Sequence, residues 1–371
     1  MPTLIDRHLK IPQYLQLAEH LRQEIADGRL QPDDRLPSLN ESKAQFGANQ
    51  RTVEKAHDLL ETDGLIRREP GRGVFVNHPA PRKMTGNVGF VAPSNVSLQQ
   101  HLAYWGSVLA GIRSMARERG YHLLLIDDGS DFDHWDKIDG AVLCDIYAPR
   151  NSHLGLPQLP KDVPVVSLFY EVPGVARVTS DDFDGTYRLA RHLIELGHRR
   201  IAYLGTVNAG ASQLKERKEG YLKALQESNI EPDPCSTREL CEHNEWDELP
   251  HWFARAAEHS MHRWLQEDWA QLGCTALIAQ NDETATGAIR AYEAAGLQVP
   301  RDVSVVGYDG LPSYQTSQRL TTIQVPLFDV GERAMRSLLD WLGDSTKTPQ
   351  DVCLPVHFVQ GQTTGPPLSE N

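Results

Sequence analysis

Apolar positions recur at two different periods along this 371-residue chain, and the change of period divides it. Tyr14, Leu17, Leu21 and Ile25 keep one helical face apolar, and Gly28 stands where such a helix would stop. The same spacing predicts a second helix over about 38–46, a turn at Gly47, and a third helix over about 50–62 with Val53, Ala56 and Leu60 inward. Two short β segments, Leu65–Arg68 and Val74–Val76, flank Pro70-Gly71-Arg72-Gly73. Three helices and a glycine-tipped hairpin predict a winged helix-turn-helix over residues 1–77.

Around residues 77–86 two prolines and a glycine interrupt all periodicity, which predicts a linker over 78–86. Beyond it, over 87–365, short continuous apolar runs alternate with helical segments. The strand candidates are Val88–Ala92, Leu123–Ile126, Ala141–Leu143, Val165–Leu168, Ile201–Leu204, Ala276–Ala279 and Val303–Val306. Helical segments are predicted at about 102–119, 184–196, 214–228, 250–272, 283–296 and 329–342. Alternation of this kind gives an α/β fold of doubly wound parallel sheets, and the span accommodates two of them, hence two lobes.

Composition sharpens the division. The chain carries a net charge of −13, but residues 1–83 hold 13 Lys+Arg against 12 Asp+Glu, so the acidity belongs to the second part. Any contact with nucleic acid must come from the first part. No apolar run approaches the roughly 18 residues that span a bilayer, and the first residues lack a basic start and apolar stretch, so a cytoplasmic protein without a membrane partner is expected. Cys144, Cys235, Cys241, Cys274 and Cys353 are scattered without a Cys-x-x-Cys pair, which points to neither a disulfide framework nor a zinc site.

A helix-turn-helix places the early residues of its second helix against base edges in the major groove. Because Val53 and Ala56 face inward, Gln50, Arg51, Thr52, Glu54 and Lys55 are free to face DNA, with Asn49 as N-cap. Arg72 between Gly71 and Gly73 suits a wing tip that follows the duplex. The run Tyr14–Ile25, Gly28-Arg29-Leu30, Asp34-Arg35-Leu36-Pro37-Ser38, Phe46-Gly47-Ala48, Arg51–Ala56, Leu60–Ile66 and Gly71–Val76 resembles the GntR family winged helix from end to end. The resemblance adds Ser38 and Asn40 to the DNA-facing set and implies a homodimer on a two-fold symmetric double-stranded operator. Gln50 and Asn40 stand where the family usually or frequently carries arginine, and Glu54 where it often carries a basic residue, so base preference does not carry over from relatives.

Val178–Gly185, His192–Tyr203, Glu216–Tyr221, Ala279-Gln280-Asn281-Asp282, Val299–Asp309 and Leu320–Ile323 together resemble the effector domain of the LacI/GalR family, itself similar to periplasmic sugar-binding proteins. A GntR-type head on a LacI-type body resembles the arabinose repressor subfamily. Ligands of open α/β sheets bind beyond the carboxyl ends of the strands. Ser94, Glu171, Asn281, Asp282 and Asp309 follow apolar strands in that way. A sugar offers vicinal hydroxyls that carboxylates and a guanidinium bond in pairs, and ring faces that stack on aromatics. The resemblance places Arg217 as the effector-binding arginine and Tyr104 and Trp105 as pocket aromatics. Each residue also has a purely structural alternative: helix capping for Asp282, core packing for Trp105, an ion pair across the lobes for Arg217 with Asp309. Between Asp128 and Asp139 the chain is shorter than a full helix would need.

The function expected is that of a repressor whose operator binding responds to a small effector, a sugar, held between the lobes. GntR heads also occur on pyridoxal-phosphate bodies, but no lysine here has a suitable strand-end context, and neither a nucleophile elbow nor His-Glu-x-x-His is present. A protein that is not an enzyme and has no cofactor is expected. A pyridoxal-phosphate regulator and a purine-responsive one remain the alternatives.

Overall fold

The computed structural model describes residues 11–77, 84–92, 102–127, 135–144, 163–206, 212–240, 252–311, 318–344 and 346–368. The chain divides into two compact units between Lys83 and Met84.

In the first unit, helix α1 (Gln13–Ala26) lays Leu17, Ala18 and Leu21 against the inner face of α3 (Gln50–Thr62). Between them α2 (Leu39–Phe46) starts in a capping box: the Glu41 N–H donates to Ser38 Oγ at 3.3 Å, and the Ser38 N–H donates to the Glu41 carboxylate at 2.6 Å. Gly47, left-handed at φ 65°, ends α2, and the Asn49 side chain caps α3 by accepting the Thr52 N–H at 2.9 Å. Strands β1 (Ile66–Glu69) and β2 (Gly73–Val76) pair antiparallel, and buried Ile66 and Val76 close the core over Val53, Ala56 and Leu60. These are the three helices and wing expected from the periodicity.

The second unit begins with Thr85 and Gly86, whose N–H groups donate to the buried Asp139 carboxylate at 2.7 and 2.8 Å. The expected linker over 78–86 therefore reaches the body before its end. The first lobe runs β3 (Asn87–Ala92), α4 (Leu102–Glu118), β4 (His122–Asp127), β5 (Gly140–Cys144), β6 (Val165–Leu168) and β7 (Ala176–Ser180). Among the described residues of the stretch before β5 lies a 3-10 turn, Trp135–Lys137. The second lobe follows with α5 (Asp182–Glu195), β8 (Ile201–Leu204), α6 (Ser212–Glu227), β9 (Thr237–Arg238), α7 (Trp252–Glu267), α8 (Trp269–Leu272), β10 (Ala276–Ala279), α9 (Asp282–Ala294), β11 (Ser304–Val306) and β12 (Thr322–Gln324). Helix α10 (Leu327–Gly343) and β13 (Val352–Leu354) return to the first lobe, and β14 (His357–Val359) pairs antiparallel with β12.

Among the described residues the first-lobe sheet has the order β13-β7-β6-β5-β3-β4 and the second β11-β10-β8-β9, both parallel throughout. The doubly wound α/β reading holds. The chain crosses between lobes at Asp181, at Val325–Pro326 and at Pro355–Val356, and the Asp181 N–H donates to the Leu354 carbonyl at 3.0 Å, tying the first crossing to the third. Three helix pairs pack through glycine: a Cβ at Gly111 or Gly331 would strike the facing backbone of α10 or α4, one at Gly220 that of α5, and one at Gly287 that of α7. The helix expected over 250–272 is two, because α7 ends before Asp268. No helix among the described residues is long and apolar enough to cross a membrane.

Candidate functional site

On the first unit, α3 turns Val53, Ala56, His57 and Leu60 inward. Gln50, Arg51, Glu54 and Lys55 are thereby exposed. Arg51 makes no hydrogen bond or ion pair with the described residues, whereas Lys55 lies over the Tyr14 ring at 5.4 Å. Gln50 donates from Nε2 to Glu54 Oε1 at 2.8 Å, and Thr52 donates its hydroxyl to Asn49 Oδ1 at 3.0 Å. Ser38 Oγ is engaged in the capping box; Asn40 lies on α2, and its side chain is outside the described residues.

At the wing tip Gly71 and Gly73 have φ of 75° and 129°, conformations that favour glycine. Arg72 is exposed, ion-paired with Glu69, and its guanidinium lies 5.6 Å from the Phe75 ring centroid. Arg67 approaches the same ring at 5.7 Å and pairs with Asp33 at 2.6 Å. Arg35, which the sequence reading quoted only as part of a motif, packs against Gly73; with Ser38, Glu54, His57 and Arg68 it lines a groove between α3 and the wing. Burial pushes the His57 imidazole below its usual value, and the Arg68 cation adds to that. A neutral His57 thus serves the core of the head.

In the second unit the polar residues converge beyond the carboxyl ends of β7, β8, β10 and β11. Arg217, on α6, is buried at 5 % exposure, and its fork has three separate partners. Nε donates to Asp182 Oδ1 at 2.6 Å, Nη1 to the Gln280 carbonyl at 2.6 Å, and Nη2 to Asp309 Oδ1 at 3.3 Å. The Tyr308 ring lies 3.8 Å beneath the guanidinium carbon. A guanidinium has five N–H donors, so this arrangement leaves two uncommitted.

Asp309 adopts φ 109°, and its backbone pairs with β12 on both sides: its N–H donates to Ile323 O at 2.8 Å and its carbonyl accepts from the Val325 N–H at 3.1 Å. Burial raises its carboxyl to about 7, against the opposing pull of Arg217. Asp282 is also buried, with Thr322 Oγ1 donating to Oδ1 at 2.5 Å and the Leu311 N–H to Oδ2 at 2.8 Å. Burial and then the Asp309 charge hold its carboxyl well above the ordinary range. The cap of α9 is not Asp282 but its neighbour Asn281, whose Oδ1 accepts the Thr284 N–H at 2.8 Å. The Asn281 Nδ2 stays available.

Tyr104 and Trp105 open the first-lobe side at the start of α4, 5.2 Å apart and both near Phe169. They separate in role. Trp105 is buried among Phe90, Val108 and Phe169 and belongs to the core. Tyr104 is half-buried at the edge of that core, and its hydroxyl is pushed well above the usual phenol value by burial and then by the Asp309 charge. Glu171 stands exposed on the turn after β6 with no hydrogen bond or ion pair to the described residues. Ser94 lies outside the described residues.

Asp182 and Gln280 escaped selection from the sequence although both sit in the quoted blocks. Asp182 is fully buried, receives Ser180 Oγ at 2.9 Å on its second oxygen, and anchors Arg217 at the first crossing. Gln280 Oε1 accepts the Thr206 N–H at 2.6 Å while its carbonyl holds Arg217. For Gln280 a signal existed, an amide residue at the first position beyond an apolar strand; Asp182 carried none of that kind, because it stands second after β7, whose sequence is not an apolar run. The ion pair of Arg217 with Asp309 lies within the second lobe rather than across the lobes.

The profile of the bacterial regulatory proteins of the gntR family matches residues 13–76, and that of the periplasmic binding protein-like domain matches residues 190–364. An arabinose metabolism transcriptional repressor of Geobacillus stearothermophilus is 27 % identical over 352 residues, covering 90 % of this chain and 92 % of that protein. The HTH-type transcriptional repressor PurR of Yersinia pestis (strain Pestoides F) is 30 % identical over 301 residues, 76 % of this chain and 79 % of PurR. Among solved structures, the regulator CelR in complex with cellobiose superposes with a TM-score of 0.64 at 22 % identity, over 88 % of this chain and 100 % of that one. A LacI family regulator from Enterococcus faecium with bound ribose gives 0.61 at 24 % identity, over 76 % and 99 %. With its winged helix followed by a two-lobed body, the chain belongs to the bacterial transcriptional regulators that join a gntR-family head to a periplasmic-binding-protein-like domain of the LacI/GalR type.

Proposed function

We propose that the chain is a cytoplasmic, homodimeric repressor, not an enzyme, whose two winged helices bind a two-fold symmetric operator and whose affinity for it is set by a small sugar held between the lobes of the body. One observation carries the effector half. A buried guanidinium with two uncommitted N–H donors stands beside a carboxylate at the strand ends, opposite a half-buried tyrosine of the other lobe. That set bonds vicinal hydroxyls and covers a ring face. Arg217, Asp309, Asn281 and Tyr104 are the proposed contacts, with Asp282 and Trp105 supporting them from behind. Glu171 is proposed at the rim, and Ser94, outside the described residues, as a further contact. The names of the relatives, an arabinose repressor and a cellobiose-bound regulator among them, agree with a sugar.

The DNA half rests on exposed Arg51 and Arg72, with Gln50, Thr52, Lys55, Asn49, Ser38, Asn40, Gly71 and Gly73 completing the surface. Binding of effector favours one arrangement of the lobes, and the crossings transmit it to the paired heads as a population shift. A thermal-shift panel of pentoses, hexoses, disaccharides and purines, followed by gel shifts with the chain's own upstream DNA in the presence of any stabilising compound, tests both halves. A compound that raises the melting temperature and releases DNA is the expected result. Stabilisation by purines alone would replace the sugar, and no retention of DNA at low salt would remove the repressor.

A further inference from the structure

The recognition helix carries a pair that the sequence shows as two separate departures from its relatives, a glutamine able to read adenine and a glutamate able to accept from cytosine. Gln50 and Glu54, one turn apart on α3, are joined by the 2.8 Å bond from Nε2 to Oε1, and both are exposed on the side opposite Val53, Ala56 and Leu60. We infer that Gln50 and Glu54 act as one specificity-determining unit that reads adenine and a neighbouring cytosine in the major groove, in place of the guanine that an arginine pair would read. The inference rests on the DNA-binding reading above.

The chemistry follows from which atoms the bond leaves over. Donation to Glu54 fixes the amide so that Gln50 keeps one N–H and its Oε1, the donor and acceptor that match adenine N7 and N6. Glu54 keeps its second carboxylate oxygen, for which the described residues supply no partner. A carboxylate only accepts, so in the major groove it is satisfied by an exocyclic amino group, adenine N6 or cytosine N4; with the adenine taken by Gln50, cytosine N4, the usual partner of a carboxylate, is assigned to Glu54. Guanine O6 and N7 or thymine O4 at that place would set acceptor against acceptor. Glu54 also lines the groove between α3 and the wing with Arg35, Ser38, His57 and Arg68. On this reading its charge opposes binding to any sequence that offers no compensating donor. Arg51 and the arginines near the wing would supply phosphate attraction indifferent to sequence, while the Gln50–Glu54 pair subtracts from it wherever the bases are wrong.

Selection of operators from a random-sequence duplex library by the full-length protein, in parallel for wild type, Glu54→Gln and Gln50→Ala, tests this. Both positions are exposed, and thermal melts of the variants establish that the heads remain folded. For wild type the expected half-site contains adenine next to cytosine, each discriminated by about tenfold or more. Glu54→Gln is expected to lose the cytosine preference, keep the adenine, and bind scrambled duplex several-fold more tightly. Gln50→Ala is expected to lose the adenine preference. If wild type enriches a motif and both variants enrich the same one with undiminished discrimination, the pair does not read bases, although the repressor reading stands. Guanine or thymine at both positions on the strand read by the helix overturns it equally. If wild type enriches nothing and retains no duplex at low salt, the DNA-binding reading falls and takes this one with it.

Discussion

Arg217 Nε and Asp182 Oδ1 meet at 2.6 Å, and Asp182 is the first residue of α5 after the chain leaves the first lobe. The proposed effector arginine is therefore fastened to a crossing between the lobes. Through Asp309, whose backbone brackets the end of β12, the same guanidinium reaches the second crossing. The proposed ligand contact and the geometry of the crossings share one side chain.

Arg217→Ala should consequently destabilise the body as well as remove effector response. Deleting one partner of a buried ion pair leaves the others desolvated, at a cost of about 3–5 kcal/mol. Asp182→Asn, which keeps an acceptor for Nε, should cost less and retain the fold. Urea unfolding of both variants checks the order; an Arg217→Ala protein as stable as wild type would mean that the buried cluster contributes nothing to folding.

Asp309 predicts a pH signature. Its carboxyl is raised by burial to about 7, while an unfolded aspartate ionises near 3.9. Between those values the folded chain holds a proton that the unfolded chain has released, so this group's contribution falls as pH rises and levels off above about 7. Asp309→Asn cannot titrate. The melting temperature of the variant relative to wild type should climb from about pH 4.5 to about 7, and the loss of the Asp309 charge, which also raises Asp282, acts in the same direction above that. Burial lowers His57 and His198, which gives the opposite slope as pH falls below about 6.5, but both proteins share it and the difference cancels it. A flat difference throughout would show that Asp309 ionises as an ordinary aspartate.

At the wing, Gly73→Ala places a Cβ 2.9 Å from Arg35 Nε at φ 129°, whereas Gly71→Ala meets open space at φ 75°. Gly73→Ala should cost about 1–3 kcal/mol of head stability and weaken operator binding, with Gly71→Ala milder on both. Melting curves and gel shifts of the two variants give the comparison. Equal effects would mean that the Arg35 contact is immaterial.

Glu69 accepts from both Arg67 Nε, at 3.2 Å, and Arg72. Glu69→Gln removes a negative charge beside the wing tip and releases Arg72 for phosphate. Affinity for duplex at low salt should rise by about several-fold, with a steeper loss as salt increases. Weaker binding by the variant would place the wing away from the DNA.

Helices α1 to α3 and the wing were legible because each carries its own signals: period, caps at Ser38 and Asn49, and glycines at 47, 71 and 73. Most parallel strands of the body were legible for the same reason, being continuous apolar runs buried on both faces. Strands β7, β9, β12, β13 and β14 were not, because they are short, threonine-bearing or edge segments whose pairing partners lie elsewhere in the sequence: β13 joins β7 across more than 170 residues.

What the sequence by itself determined is the order of elements, the placing of charge in the body and the residue types at the strand ends. Local preference and burial pattern act over a few residues, and they suffice for that. Which of those residues share a site was decided only by tertiary structure. Trp105 is buried in the core and Tyr104 only half-buried against it, though they are adjacent in the chain; Asn281 took the cap that freed Asp282 to hold Thr322. Arg217 acquired Asp182, Gln280 and Asp309 from three separate elements. Burying a guanidinium is tolerable only where acceptors converge on it, and that convergence is a property of the packed lobes and crossings, which no local stretch of sequence encodes.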